Sequence, residues 1–352
     1  MNRSSTSHEA PWNAGRTKLP RVITWGRVLV GDVLLLLEYD DIMTNPLFEH
    51  RRSLRDLISQ PGMVVAPGAY DGIGARLVAQ AGFPAVYMTG AGTAMARGFP
   101  DFGLLTQTEM ADNAGVMARS VDVPVIADAD TGYGNELNIT RTVREYESRG
   151  VAAIHIEDQV SPKRCGHLEG KEVVTRDEFV SKIRAAVEAR CSNEFLIIAR
   201  TDARAMLGLD EAIDRANAAI DVGADIAFVE APQTNEEVEL VPRRVRGACL
   251  LNIVGGGRTP VLDVSVAEAM GYKLAIVPGL LLSAAIEAGD AALAALKSTR
   301  VVPPVAAAVA ETFRRFGADD WDALRRRFNA GAGAIDPCAP AVGVLGRAGG
   351  TA

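Results

Sequence analysis

The 352-residue sequence predicts an α/β fold, a (β/α)8 TIM barrel, from three observations. From residue 60 onward, eight short apolar runs alternate with longer amphipathic stretches. Each run ends in a polar or glycine-containing turn. Several of the longer stretches close on glycine, the residue that accepts the left-handed conformation at a helix end.

The runs that read as strands are 63–66, 85–88, 123–127, 152–156, 195–199, 226–229, 249–253 and 274–277. Helices are expected over 71–81, 106–119, 136–149, 176–190, 210–222, 235–246 and 265–270, with Gly82, Gly150, Gly223 and Gly271 closing four of them. Eight buried parallel strands within about 230 residues match one barrel. A doubly wound open sheet is the alternative, but no glycine-rich dinucleotide turn follows the first run. The barrel, the catalytic domain, is assigned to 46–300. A C-terminal helical segment is expected over 301–330 and a flexible Gly/Ala/Pro-rich tail over 331–352.

Residues 1–45 are read as a poorly ordered N-terminal extension, with Met43 an alternative start. The apolar run 28–37 is broken by Asp32 and falls short of the roughly 20 residues of a membrane helix. Glu38, Asp40 and Asp41 then stand where a signal peptide would carry small residues. No membrane partner is expected. With 48% hydrophobic residues the chain can bury a full core, and a net charge of −7 without a basic block interleaved with aromatics argues against nucleic acid. Four widely spaced cysteines, Cys165, Cys191, Cys249 and Cys338, argue against a disulfide framework or a zinc cluster and for a reducing cytoplasm.

In a barrel, catalytic groups gather after the C-terminal ends of the strands. Those positions hold Tyr87, Thr89, Gly90 and Ala91; Asp128, Ala129 and Asp130; Glu157 and Asp158; Arg200, Thr201 and Asp202; Glu230; and Asn252. Asp128 and Asp130 would leave a strand on opposite sides unless the backbone turns between them, and the following TGYG supplies such a turn. With Glu157 and Asp101 they form an all-oxygen donor set that suits Mg²⁺, or Mn²⁺, rather than zinc. A lone Asp in such a turn more often caps the next helix, but several together favour a metal. Arg200 and Asn252 could hold substrate carboxylates, and the small residues Thr89, Gly90 and Ala91 could present backbone N–H groups to one.

After the fourth strand comes a segment far longer than an ordinary βα loop, and such loops act as lids or binding loops. It carries Lys163, Arg164, Cys165, Gly166 and His167. That cationic setting would lower a thiol pKa or hold the thiol near an anion, so Cys165 is read as a nucleophile or as a proton donor to a carbanion.

Together, YMTGAG (87–92), PDFG (100–103), ADADTGYG (127–134), HIEDQVSPKRCGH (155–167), ARTDAR (199–204) and LNIV (251–254) resemble the isocitrate lyase and phosphoenolpyruvate mutase superfamily. The likeness is to its group of 2,3-dimethylmalate lyases, methylisocitrate lyases and oxaloacetate hydrolases. It implies Asp128 as Mg²⁺ ligand with Asp101, Asp130 and Glu157 close by. Substrate contacts would come from Thr89, Gly90, Ala91, Lys163, Gly166, His167, Arg200, Glu230 and Asn252. Cys165 would protonate the fragment left by C–C cleavage, Arg200 would stabilise its charge, and Tyr87 or a metal-bound water would act as base. The substrate is then a di- or tricarboxylate, a 2-hydroxy acid cleaved to a 2-oxo acid such as pyruvate plus a carboxylic acid. Oxaloacetate hydrolysis or decarboxylation, and a carboxyvinyl-carboxyphosphonate phosphorylmutase-like reaction, are the alternatives. Methylisocitrate lyases carry an Arg where Ser283 stands, and oxaloacetate hydrolases tend to carry Ser where Pro278 stands, so a substituted malate is favoured. The resemblance also implies a homotetramer, a dimer of dimers with a swapped C-terminal helix.

Overall fold

The computed structural model describes residues 25–30, 33–38, 53–260 and 263–329. The chain divides into two units, Met1–Glu49 and His50–Ala352. In the first, β1 (Trp25–Val30) and β2 (Val33–Glu38) pair antiparallel, with Val30 opposite Val33. Their apolar run is thus a hairpin. The rest of the expected extension, the tail over 331–352, and Cys338 lie outside the described residues.

The second unit is a closed barrel of eight parallel strands in chain order. They are β3 (Val64–Ala69), β4 (Val86–Met88), β5 (Val125–Asp128), β6 (Ala153–Glu157), β7 (Leu196–Thr201), β8 (Ile226–Val229), β9 (Ala248–Asn252) and β10 (Leu274–Val277). β10 closes on β3 through Leu274 opposite Val64. The expected helices form within one or two residues of their predicted ends, and Gly82, Gly150, Gly223 and Gly271 all take positive φ there. Among the described residues, no helix is long and apolar enough to cross a membrane.

Strand side chains alternate between the barrel interior and the helix layer. Tyr87, Ile126, Ala153, Leu196, Ile198, Ile226, Phe228 and Leu250 fill the interior, which Leu54 plugs from the helix Leu54–Ser59. Val86, Ala127, Ile154, Ile156, Ile197 and Ala199 face the other way, into the helix layer. This alternation decides where the polar strand ends point. Asp128 follows Ile126 by two residues, Glu157 follows Ala153 by four, Arg200 follows Ile198, Glu230 follows Phe228, and Asn252 follows Leu250. All five share the interior face at the C-terminal mouth.

Among the described residues, four helices lie outside the expected ranges: Leu54–Ser59, Gly90–Ala96, Arg204–Leu207 and Leu280–Thr299. Gly90–Ala96 is helical, with the Thr89 side chain as its N-cap, accepting from Gly92 N–H at 3.3 Å. Its glycines and alanines read as a loop in sequence, but the cap and burial against the barrel mouth stabilise a helix.

Candidate active site

Of the residues singled out in sequence, Tyr87, Thr89, Ala91, Asp101, Asp128, Cys165, Gly166, His167, Arg200, Glu230 and Asn252 line one cavity of about 190 Å³. Gly90, Asp130, Glu157 and Lys163 stand behind that wall. A cavity this small suits a compact acid rather than a ligand of drug size.

The two aspartates do converge. Asp130 has φ +46°, and its N–H donates to Asp128 Oδ1 at 2.9 Å, so the chain reverses immediately after β5. Gly90 lets the next helix lie against this carboxylate, because a Cβ there would collide with Asp128 Oδ2. Burial raises the Asp128 pKa against the pull of Lys163 and Arg200. Burial, opposed by Lys163 and helped by Asp128 and Asp101, pushes Asp130 up to about 6.

Lys163 sits among these acids. Its Nζ hydrogen-bonds Asp101 Oδ1 and lies 3.0 Å from Asp130 Oδ1, at ion-pair distance. Among the described residues, no three His, Cys, Asp or Glu side chains converge as a ready metal cage. The donor chemistry nevertheless fits Mg²⁺, which keeps several waters and needs only one or two direct carboxylates. Asp101 and Asp128 are the carboxylates of this set that line the cavity, Asp128 from the end of β5. Glu157 is fully buried with neither carboxylate oxygen hydrogen-bonded, the state of an acceptor suited to ordered water. Burial holds its pKa well above the usual carboxylate range, although Arg200 Nε approaches to 3.3 Å.

Arg200 is the central cation. Its Nε donates to Asp202 Oδ2 at 2.9 Å and its guanidinium lies 5.1 Å from the centre of the Phe228 ring. Against burial, Arg200 and Lys171 hold the Asp202 pKa down to about 2. Glu230 completes the wall. Burial opposes its charge, but Arg200 and His167 outweigh that and keep its pKa low. Asn252 Nδ2 donates to Glu230 Oε1 at 3.2 Å. His167 accepts the Arg258 N–H on Nδ1 at 3.1 Å, which leaves its proton on Nε2, 3.0 Å from Glu230 Oε1.

The long segment after β6 is a stemmed loop. Val160 N–H donates to Glu172 O at 2.8 Å and Val174 N–H to Asp158 O at 2.9 Å. Its tip presents Cys165 and Gly166 to the cavity. Only glycine fits at 166, since a Cβ would lie 2.5 Å from Arg200 Nη2 and 2.6 Å from Glu230 Oε1.

The expectation of a lowered thiol pKa is corrected here. Burial pushes the Cys165 thiol up, and the backbone N–H of His167 only partly opposes this. The basic neighbours face elsewhere: Lys163 is bound by Asp101, Arg164 lies over the Phe102 ring at 5.6 Å, and His167 meets Glu230. Cys165 is therefore a neutral thiol, a state suited to giving a proton and unsuited to nucleophilic attack.

Tyr87 is likewise protonated. Burial, with the Asp128 charge, raises its pKa well above the ordinary phenol value, and its hydroxyl lies 2.9 Å from His155 Nε2. Burial and the charges of Arg200 and Lys163 lower His155 to about 3, so the imidazole is neutral. Asp202 stands at the strand end where the sequence places it, whereas sequence reasoning missed His155 and Lys171. Strand parity with Ala153 and Glu157 could have placed His155 in the interior. Lys171 lies just beyond the motif strings, and nothing in its spacing signals its burial.

The phosphoenolpyruvate phosphomutase family profile matches residues 54–297. A 2,3-dimethylmalate lyase of Eubacterium barkeri is 51% identical over 226 residues, covering 64% of this chain and 78% of that one. A 2-methylisocitrate lyase of Aeropyrum pernix is 45% identical, covering 68% and 77%. The solved structure of an oxaloacetate acetylhydrolase with 3,3-difluorooxalacetate superposes with a TM-score of 0.77 at 39% identity, covering 80% of this chain and 97% of that one. The chain belongs to the phosphoenolpyruvate phosphomutase family and is a lyase of the isocitrate lyase and phosphoenolpyruvate mutase superfamily.

Proposed function

We propose that the chain is a Mg²⁺-dependent C–C lyase that cleaves a substituted malate to a 2-oxo acid such as pyruvate and a carboxylic acid, with Cys165 as general acid. The observation that carries this reading is the seating of Cys165 in the same small cavity as Arg200 and Asp128, where burial pushes its thiol pKa up. Cleavage breaks the C2–C3 bond of a 2-hydroxy diacid. The hydroxyl proton passes to water in the cavity and on to bulk solvent, C2 becomes the carbonyl of the 2-oxo acid, and the electron pair stays on C3. Cys165 Sγ–H then delivers its proton to C3, and the thiolate regains one from solvent.

When bound, Mg²⁺ supplies Lewis-acid stabilisation of oxygen-centred negative charge, and Asp128 would hold it with Asp101, Asp130 and Glu157 placed around its waters. Arg200 binds and orients a carboxylate and offsets the charge that gathers during cleavage. Tyr87, protonated and paired with His155, orients the substrate rather than taking its proton. Thr89, Gly90, Ala91, Glu230 and Asn252 shape the floor and walls. Lys163 acts from behind, by compensating Asp101 and Asp130.

The cavity rim bears on the choice of acid. Val254, Pro278 and Leu282 line it and suit an alkyl substituent. Ser283 is exposed and brings no cation for a third carboxylate. The likeness to an oxaloacetate acetylhydrolase favours a second reading, hydrolysis of oxaloacetate, which the same experiment separates. Purified protein with Mg²⁺ is offered 2,3-dimethylmalate, 2-methylmalate, 2-methylisocitrate, oxaloacetate and phosphonopyruvate. Release of 2-oxo acid, followed by a coupled dehydrogenase, is expected to be fastest from the substituted malates. No 2-oxo acid from any diacid, or ultraviolet loss of oxaloacetate alone, would overturn the reading.

The partner we propose for the C-terminal helices is another copy of this chain. Leu280–Thr299, Val309–Arg315 and Ala318–Asn329 contain no buried residue, and Leu293, Phe313 and Trp321 are each more than 60% exposed. Apolar surface of this kind marks an interface. A homotetramer, built as a dimer of dimers, is expected by light scattering; a monomer at micromolar concentration would contradict it.

A further inference from the structure

Lys171 stands on the returning limb of the stemmed loop with its side chain only 2% exposed. Its Nζ donates to the carbonyl of Gly166, within the same loop, and to Asp202 Oδ1 at 2.9 Å, just past β7. Asp202 also receives Arg200, through Nε on Oδ2 at 2.9 Å and Nη2 on Oδ1 at 3.4 Å. One carboxylate thus joins a cation from the loop to the cation of the barrel mouth.

A buried ammonium is costly unless its donors are used, and two of the three donors here end on these oxygens. The strut is anchored at both ends. Glu172, the next residue, is fixed by the Val160 hydrogen bond of the stem. Asp202 is fixed by its own N–H, which donates to Asp158 Oδ1 at 2.8 Å. The other tethers of the loop end elsewhere: Lys163 on Asp101 and Asp130, and His167 on Glu230. Lys171 is the tether that ends on the carboxylate to which Arg200 is hydrogen-bonded, whereas Glu230 lies at 4.0 Å from Arg200 Nη2.

From this geometry we propose that Lys171 is a positioning residue for the lyase reaction: through Asp202 it seats the Cys165–Gly166 peptide and the Arg200 guanidinium against each other. The tolerance is small, because Gly166 already leaves no room for a Cβ beside Arg200 Nη2. A loop tip that slackens carries the proton of Cys165 away from the carbon it must reach, and a misplacement of about 1 Å can cost on the order of a hundredfold.

The role rests on the lyase reading, so the test uses one measurement that does not depend on turnover. Lys171→Met keeps an unbranched side chain only one atom shorter and removes its donors. Carbamidomethylation of Cys165 by iodoacetamide, followed by peptide mass spectrometry, is expected to accelerate several-fold, with the exposed Cys191 as an internal control. With a substituted malate, kcat is expected to fall by roughly ten- to a hundredfold while KM changes less. Lys171→Gln, which keeps a donor, is expected to fall between parent and Met and serves if the Met variant does not fold. An unchanged Cys165 alkylation rate would overturn the proposal, whatever happens to kcat or to the unfolding midpoint. Faster alkylation with unchanged kcat would overturn it too. If the parent cleaves no diacid, the alkylation rates alone decide.

Discussion

Cys165→Ala is expected to lower kcat on a substituted malate by about 10²- to 10⁴-fold, the range for removal of a positioned general acid. The variant deletes one sulfur atom from a loop tip that is otherwise held by Lys163, His167 and Lys171. Metal affinity is therefore expected to stay close to the parent value, as read by calorimetric titration with Mg²⁺. Cys165→Ser keeps a proton on a more weakly acidic oxygen and should lose less than alanine. The thiol is the appropriate acid because burial keeps it protonated, so each cycle begins with the proton in place. Steady-state turnover that survives alanine would remove Cys165 from the chemistry.

Arg200→Ala is expected to damage both fold and function. The guanidinium lies beside three buried carboxylates, those of Glu157, Asp202 and Glu230. Removing one partner of a buried charge pair costs about 3–5 kcal/mol, because the remaining charge is left without compensation. Asp202 keeps Lys171, whereas Glu157 keeps no hydrogen-bond partner. The pH dependence has a definite sign. Asp202 is held down to about 2 in the folded chain against an unfolded value of about 3.9, so its stabilisation is present above that unfolded value and is lost as pH falls toward 2. The stability gap between parent and variant, from urea unfolding, should thus be widest near neutrality and should narrow on acidification below about 4. Turnover is expected to fall at least as far as for loss of an oxyanion donor, about 10²- to 10³-fold. A variant within 1 kcal/mol of the parent at neutral pH would refute the central electrostatic role given to Arg200.

Much of this site was legible because strands have a period of two. Once the eight runs are placed, Ile126, Ile198, Phe228 and Leu250 point inward, and the polar residues two positions further along must follow them. The runs 226–229 and 274–277 coincide with β8 and β10 to the residue. The hairpin β1–β2 was missed although Gly31 and Asp32, a two-residue turn signal, divide its apolar run. The helix Gly90–Ala96 was missed because its residues have little intrinsic preference for helix, and tertiary burial decides.

What sequence could not supply was the pairing of charges. Three basic residues around Cys165 read as a thiolate-stabilising cluster. Their actual partners, Asp101, the Phe102 ring and Glu230, come from other segments and turn them away from the sulfur. Lys171 reads as an ordinary charged residue until the loop folds back, and its pairing with Asp202 is not visible from either position alone.

The central step of the proposed reaction is a proton passing from Cys165 to a carbanion made by C–C cleavage. Reaction of 2,3-dimethylmalate with Mg²⁺ in D₂O, followed by NMR, tests this most directly, since the thiol exchanges its proton with solvent. One 2-oxo acid and one carboxylic acid are expected per substrate consumed, with a single deuterium on the former C3, formed far more slowly by Cys165→Ala. Absence of 2-oxo acid, or the same deuterated product at an undiminished rate from Cys165→Ala, would contradict the proposed reaction.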